Sequence, residues 1–333
     1  MRALVTGASG FIGSTLIEEL NTLGFDVQAL MRRSSSPANL EGLKYQRVEG
    51  DLSDSASLKQ AVKNADYVFH LAGAISAPDR ASYFEHNAAG TRRLAEAVAE
   101  ARPGLSRFVF VSSLSAGGPA QSLVPRNEQQ ADAPVSAYGE SKQQAEKDLL
   151  KYRDAFPISI VRPPMVYGPK DKATFIFVQT VARNLMPIFT GGGEGGHKYY
   201  STVHVRDLVR GIVQSGVASK EKVPSGEIFY LTGDGSVTYE QLMTVIAEKL
   251  NRDPLKIKVP QAALSVAAMA LTAVGKLTRR TFNLNVDKMN EIRPDYWICS
   301  NAKAKQMLGF APEYDFSSGM ADAIEWYKRA KWI

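Results

Sequence analysis

The 333-residue sequence contains one cysteine, Cys299, so no disulfide can form within the chain. That fits a reducing compartment, and a cytoplasmic location is expected. Histidines are scarce too. His70, His86, His197 and His204 show no ligand spacing with the cysteine or with acids, so no metal site is expected. No apolar run is long enough for a bilayer. The most apolar stretch, Ala262 to Val274, falls short of the roughly 20 residues that a membrane helix needs. Clustered charge is also missing. The net charge is +6 and the pI about 9.2, yet the basic groups are scattered pairs such as Arg32-Arg33, Arg92-Arg93 and Arg279-Arg280. A solvated surface with affinity for an anionic cofactor suits this pattern better than a nucleic-acid interface. Internal repeats and low-complexity segments are absent.

What is present begins at the first residues. Arg2 to Thr6 is a short, branched, apolar run. Gly7-Ala8-Ser9-Gly10-Phe11-Ile12-Gly13 follows, and then apolar residues recur at Leu16, Ile17 and Leu20 with helical spacing. That order is strand, phosphate loop, helix. Gly7 lets the backbone leave the strand sharply. Gly10 lets a pyrophosphate approach main-chain N–H groups, and Gly13 lets the helix pack closely on the strand. The helix N-terminus adds free donors and partial positive charge. A tight turn without a ligand can carry the same glycines. The position directly after a strand favours the phosphate loop. With these residues committed to a strand, no signal peptide is expected.

Hydrophobic residues make up 44% and charged residues 22%, which is ordinary for a globular protein large enough to bury a substantial core. Strand and helix alternate. Strands are expected at Asp26–Met31, Tyr45–Glu49, Tyr67–Leu71, Arg107–Val111 and Ile158–Arg162. Helices are expected at Ser57–Asn64, Tyr83–Ala101 and from Ala137 to about Phe156. This is the pattern of an α/β, Rossmann-type doubly wound parallel sheet. His70, inside an apolar run, reads as a satisfied buried histidine.

The pattern breaks after Pro163-Pro164. Met165 to Tyr200 holds one helix, about Ala173 to Leu185, and a glycine-rich loop, and reads as a mobile lid. Strands at Tyr199–Val205 and Glu227–Thr232 then return around a helix at Asp207–Gln214. From Tyr239 the chain reads as mainly helical. We therefore expect a dinucleotide-binding domain at 1–164 plus about 201–234. Residues 165–200 and 235–333 would form a smaller, mainly helical C-terminal substrate lobe.

A dinucleotide site that selects NAD usually places an acid at the end of the second strand, for the adenosine ribose hydroxyls. Here Met31 stands there, followed by Arg32-Arg33-Ser34-Ser35-Ser36. Two guanidiniums and three hydroxyls could hold a 2′-phosphate, so NADP is favoured over NAD. The alternative is a loop whose arginines stack on adenine. Asp51 could accept a hydrogen bond from the adenine amino group or cap the following helix.

Tyr138 and Lys142 lie one helical turn apart and share a face. An ammonium beside a phenol lowers its pKa, by roughly 1–3 units, toward a value at which it exchanges protons. Ser113, at the end of the fifth strand, could orient a substrate oxygen. Tyr327 and Lys331 repeat the spacing but follow no glycine loop, and read as a surface helix pair.

Taken together, Thr6–Gly13, Gly50-Asp51-Leu52, His70-Leu71-Ala72-Gly73, Asn87 with Gly90-Thr91, Val111-Ser112-Ser113, Tyr138-Gly139-Glu140-Ser141-Lys142, Arg162 to Pro169 and Val203 to Leu208 resemble the extended short-chain dehydrogenase/reductase family. The resemblance spans at least residues 1–215. It implies a Ser113–Tyr138–Lys142 catalytic set and a C-terminal lobe that chooses the substrate. The implied cofactor contacts are Gly7, Ser9, Gly10, Phe11, Ile12, Gly13, Arg32, Asp51, Leu52, Leu71, Ala72, Gly73, Tyr138, Lys142, Pro163 and Met165. It also implies a possible homodimer through the helices carrying Arg92 and Lys147. The subclass stays open between reductases of small, apolar carbonyl substrates and nucleotide-sugar epimerases or dehydratases. A dinucleotide-binding sensor without turnover is the third reading. The 261–274 segment could face a substrate or a membrane surface, or be lobe core, and Lys276, Arg279 and Arg280 beyond it could meet a diphosphate.

Overall fold

The structure, a computed structural model, describes residues 1–188, 192–259 and 286–333. The 261–274 segment and Lys276, Arg279 and Arg280 lie outside the described residues.

Strands β1 (Arg2–Thr6), β2 (Asp26–Met31), β3 (Gln46–Glu49), β4 (Tyr67–His70), β5 (Arg107–Val111) and β6 (Ile158–Arg162) join an edge strand, Glu227–Tyr230, in one parallel sheet. From that edge the order is Glu227–Tyr230, β6, β5, β4, β1, β2, β3. The chain thus starts in the middle, moves out to β3, then crosses to β4. The crevice where the order reverses, above the C-terminal ends of β1 and β4, is where ligands bind in such sheets. Every residue of β5 and β6 is buried, as a strand covered on both faces requires.

One face packs under helices Phe11–Thr22 and Val205–Val217, with Leu16, Ile17, Leu208 and Ile212 in a shared core. The other packs under Ser55–Val62, Gly90–Ala101 and Ala137–Leu150, around Leu58, Leu94, Phe108 and Leu149. A third apolar cluster joins the helices Phe175–Ala182, Tyr239–Leu250 and Phe316–Arg329 through Phe175, Val178, Met243, Ile246 and Ile324.

Several local expectations change. The segment read as a lid is built into the fold. Met165–Tyr167 pairs with Thr202–His204, and Leu185–Ile188 pairs with Leu255–Lys258. The helix expected at 173–185 ends at Ala182, so Leu185 begins a strand instead. The later part is helical but not wholly so, because Leu255–Lys258 and Tyr296–Trp297 are strands. The expected helix 83–101 is in three pieces: a single turn Arg80–Tyr83, a wide π-helical stretch Phe84–Ala89, and Gly90–Ala101. Tyr327 is not on the surface. It is fully buried, because its helix face packs against Phe175 and Trp332.

Candidate functional site

The glycine loop abuts the end of β4. Gly7 has φ +69°, a left-handed conformation that glycine adopts freely. A Cβ there would stand 2.8 Å from Ala72 N and 2.9 Å from Leu71 C. A Cβ on Gly13 would strike the Gly7 carbonyl, so the helix can sit this close only with glycine. Gly10 N–H donates to Gly7 O at 3.0 Å, closing the turn. Phe11 and Ile12 open the helix half-buried, with no acidic side chain in the first turn to block an anion. This narrow backbone cradle fits a dinucleotide pyrophosphate.

The floor beside it is pinned by hydrogen bonds. His70 is buried between Thr6 Oγ1 at 2.7 Å and Thr91 Oγ1 at 2.9 Å. Burial, and then the Lys142 charge, push its pKa down to about 3, so its ring is neutral and structural. Thr6 Oγ1 also accepts from Ala72 N–H. Asn87, buried in the π-helical stretch, accepts from Ala74 N–H and donates to Ala74 O and to Ser141 Oγ. The loop after β4 is thereby fastened to the helix that carries Tyr138 and Lys142.

That helix begins with Ser136, whose hydroxyl caps Gly139 N–H at 3.0 Å. Ser113 Oγ caps the short turn Leu114–Gly117 through Ser115 N–H, and its hydroxyl draws the Tyr138 pKa down. Lys142, 4% exposed, donates to Val111 O at 3.0 Å and lies 4.8 Å from the Phe110 ring centre. A Cβ on Gly73 would come 3.3 Å from its Nζ. Ser113 and the Lys142 ammonium therefore lie at the end of β5, next to the glycine-lined crevice, with Tyr138 one turn from Lys142 on the same helix.

The electrostatics differ from the sequence expectation in one respect. The Tyr138 hydroxyl is pushed up, not down. Burial is the main cause, the Glu291 carboxylate adds to it, and the Ser113 hydroxyl pulls the other way. Tyr138 is half-buried as a residue, and it is the burial around its hydroxyl that disfavours the phenolate. The Lys142 ammonium is engaged with Val111 O, and its own pKa is lowered to about 8 by burial, against a raising pull from Glu146.

The other expected contacts spread along the crevice. Asp51 accepts from Ser53 N–H and Ser53 Oγ, which hold its carboxyl below the usual range, with Arg32 contributing less. Leu52 O accepts from Arg93. Pro163 is buried, and its carbonyl accepts from Leu114 N–H; Met165 is half-buried beside Thr202. Ser9 O accepts from Asn39 Nδ2 at 2.9 Å. Arg32 and Arg33 are exposed at the end of β2, and Arg47 donates to both their carbonyls. Glu49 stands beside Met31 in the sheet register.

Two groups of residues at the site went unread in the sequence. Asp287 accepts from Ala137 N–H at 2.7 Å, and Glu291 accepts from Ser136 Oγ at 3.0 Å. Both come from the helix Val286–Ile292, far along the chain, and no local signal points to them. Behind Lys142, Arg162 grips Glu146 and Asp132 with paired hydrogen bonds and also reaches Tyr230. The four-residue step from Lys142 to Glu146 was a signal available in the sequence.

The profile of the NAD dependent epimerase/dehydratase family matches residues 3–230. A ceramide reductase of Caulobacter vibrioides is 27% identical over 330 residues, covering 99% of this chain and 95% of that one. A UDP-glucose 4-epimerase of Vibrio cholerae is 25% identical over 338 residues, covering 98% and 95%. The solved structure of MoeE5 with UDP-glucuronic acid and NAD superimposes with a TM-score of 0.76 at 25% identity, over 99% and 100% of the two chains. The chain belongs to the NAD-dependent epimerase/dehydratase family and is an enzyme of the extended short-chain dehydrogenase/reductase kind.

Proposed function

We propose that the chain is a reductase, with Tyr138 giving a proton to the carbonyl oxygen of a small, apolar substrate. The observation that carries this reading is the close packing of the Tyr138 helix on the Ser113 turn, where a Cβ on Gly139 would meet Ser115 O, beside the buried Lys142 and next to the glycine cradle. A bound nicotinamide dinucleotide supplies the hydride. The chain's part is to place the carbonyl and to manage its proton. Burial and Glu291 keep the Tyr138 hydroxyl protonated, which suits an acid working in the reductive direction. Ser113 offers a second donor to the same substrate oxygen. Below about pH 8 Lys142 is charged, and its ammonium offsets the negative charge that develops as the phenol proton leaves.

Apolarity of the substrate rests on two supports. Ile75, directly after the loop fastened by Asn87, is 79% exposed, and Tyr83 lies 6.1 Å from the Tyr138 ring. The similar ceramide reductase acts by name on a lipid. Nucleotide-sugar epimerisation is the second reading, favoured by the likeness to a UDP-glucose 4-epimerase across nearly the whole chain.

For the cofactor we infer NADP(H), because Met31 ends β2 and Arg32 and Arg33 follow without a carboxylate between Met31 and Leu40. Ribose binding by Glu49 is the competing arrangement. We also propose the division into a dinucleotide-binding part at 1–164 with 201–234 and a substrate lobe at 165–200 with 235–333. A homodimer would use the outer faces of Gly90–Ala101 and Ala137–Leu150, where Arg92 and Lys147 are exposed.

The reductase reading is tested by incubating the chain with NADPH and a panel of apolar ketones and aldehydes, and separately with UDP-glucose. Net loss of NADPH with a ketone supports it. Interconversion of the sugar without net loss of NADPH would replace it with the epimerase reading.

A further inference from the structure

Lys170 sits in the turn between Tyr167 and the helix Phe175–Ala182, and the sequence reading gave it no role. Its φ of +72° is left-handed, a conformation that a side chain with a Cβ adopts only when its surroundings impose it. The surroundings here do so. Tyr327 Oη stands 3.2 Å from Gly168 O and 3.0 Å from Asp171 O, so its one proton is shared between two carbonyls that bracket the residue. The Asp171 carboxylate accepts from Ala173 N–H and Thr174 N–H and anchors the far side. A strained turn clamped at both ends delivers one ammonium to one place.

That place is the phosphate loop. Lys170 Nζ lies 3.4 Å from Ser14 Oγ, in the first turn of the helix that the loop opens. It donates to Asn39 O at 3.2 Å, and Asn39 in turn donates to Ser9 O. An ammonium has three donors, and among the described residues two of them have partners. Lys170 is half-buried, and among the described residues it forms no ion pair with a carboxylate. Burial lowers its pKa, with Glu18 the one acid pulling it up. A partly desolvated cation is thus held under strain beside a backbone cradle for an anion, with no carboxylate in ion-pair contact among the described residues.

We propose that Lys170 is a binding residue for the pyrophosphate of the dinucleotide, reaching the phosphate loop from the turn after Tyr167. This rests on the dinucleotide reading of the loop. Both partners of Nζ belong to the loop, its helix or the residue tied to Ser9, and neither belongs to the Arg32–Ser36 stretch. The pyrophosphate, not the 2′-phosphate, is therefore the group that Lys170 meets.

The test compares wild type with Lys170→Met and Lys170→Arg. Binding of NADPH and NADH is followed by nicotinamide fluorescence, and ADP-ribose by displacement of NADPH, with thermal melts alongside. Loss of one charge-assisted phosphate contact predicts about tenfold weaker binding of all three ligands by Lys170→Met, with most of it restored in Lys170→Arg. Unchanged binding would overturn the assignment. So would a loss confined to NADPH, which would put Lys170 at the 2′-phosphate. Equal losses in both variants, matched by equal drops in melting temperature, would reduce Lys170 to a strut and overturn it too. If wild type binds none of the three ligands, the dinucleotide reading itself fails, and that result is visible before any variant is made.

Discussion

Lys142→Met should change how the stability of the apo chain depends on pH. In the unfolded chain this lysine loses its proton near 10.5, and in the folded chain near 8. Between those values the folded state binds fewer protons than the unfolded state. The cost of holding a charged lysine is therefore fully present below about pH 8, and it is relieved as the pH rises toward 10.5. Each pH unit of that interval is worth about 1.36 kcal/mol. From pH 7 to about 9.5, wild type should gain about 2 kcal/mol over Lys142→Met, which has no proton to lose. The loss of the Val111 hydrogen bond and of the Phe110 contact shifts the Met variant by an amount that does not vary with pH, so it drops out of the slope. Stopping near 9.5 keeps most tyrosine titration out of the comparison. Urea melts of both proteins at four or five pH values measure it. Parallel stability curves would mean that the lysine titrates well above this range, and the argument about its desolvation would fail.

Two further predictions concern cofactor choice and site assembly. Arg32→Ala should weaken NADPH at least tenfold while leaving NADH nearly unchanged, since a guanidinium–phosphate contact is a charge-assisted one; equal losses in fluorescence titrations would remove the 2′-phosphate argument. Gly139→Ala places a Cβ against the Ser115 carbonyl, so the helix bearing Tyr138 must back away from the Ser113 turn. We expect about 1–3 kcal/mol of lost stability in denaturant melts and a fall in turnover larger than the fall in cofactor affinity; an unaltered turnover number would show that the two need not be in contact.

The first corner of the fold was legible because its signals are local. Gly7, Gly10 and Gly13 follow a strand directly, and each meets in three dimensions the contact that its missing side chain permits. Ser113 and Tyr138 were readable as a candidate pair through motif and position, and the fold packs their segments side by side where Gly139 meets the Ser115 carbonyl. What could not be read depended on distant residues. The direction of the Tyr138 pKa turns on burial and on Glu291, and neither is encoded near residue 138. Tyr327 carries a surface-like spacing with Lys331, yet Phe175 and Trp332 enclose it. Leu185–Ile188 contains Pro187, which argues against a central strand and is tolerated here in a two-stranded pair with Leu255–Lys258.

The most direct test of the account is a comparison of wild type and Tyr138→Phe in single-turnover oxidation of NADPH with an apolar ketone, after NADPH affinity has been measured for both. The account predicts near-equal affinity and a rate at least a hundredfold lower in the variant, the usual size of a lost general acid. Equal rates in the two proteins would show that the proton comes from elsewhere, and the role given to Tyr138 would be wrong.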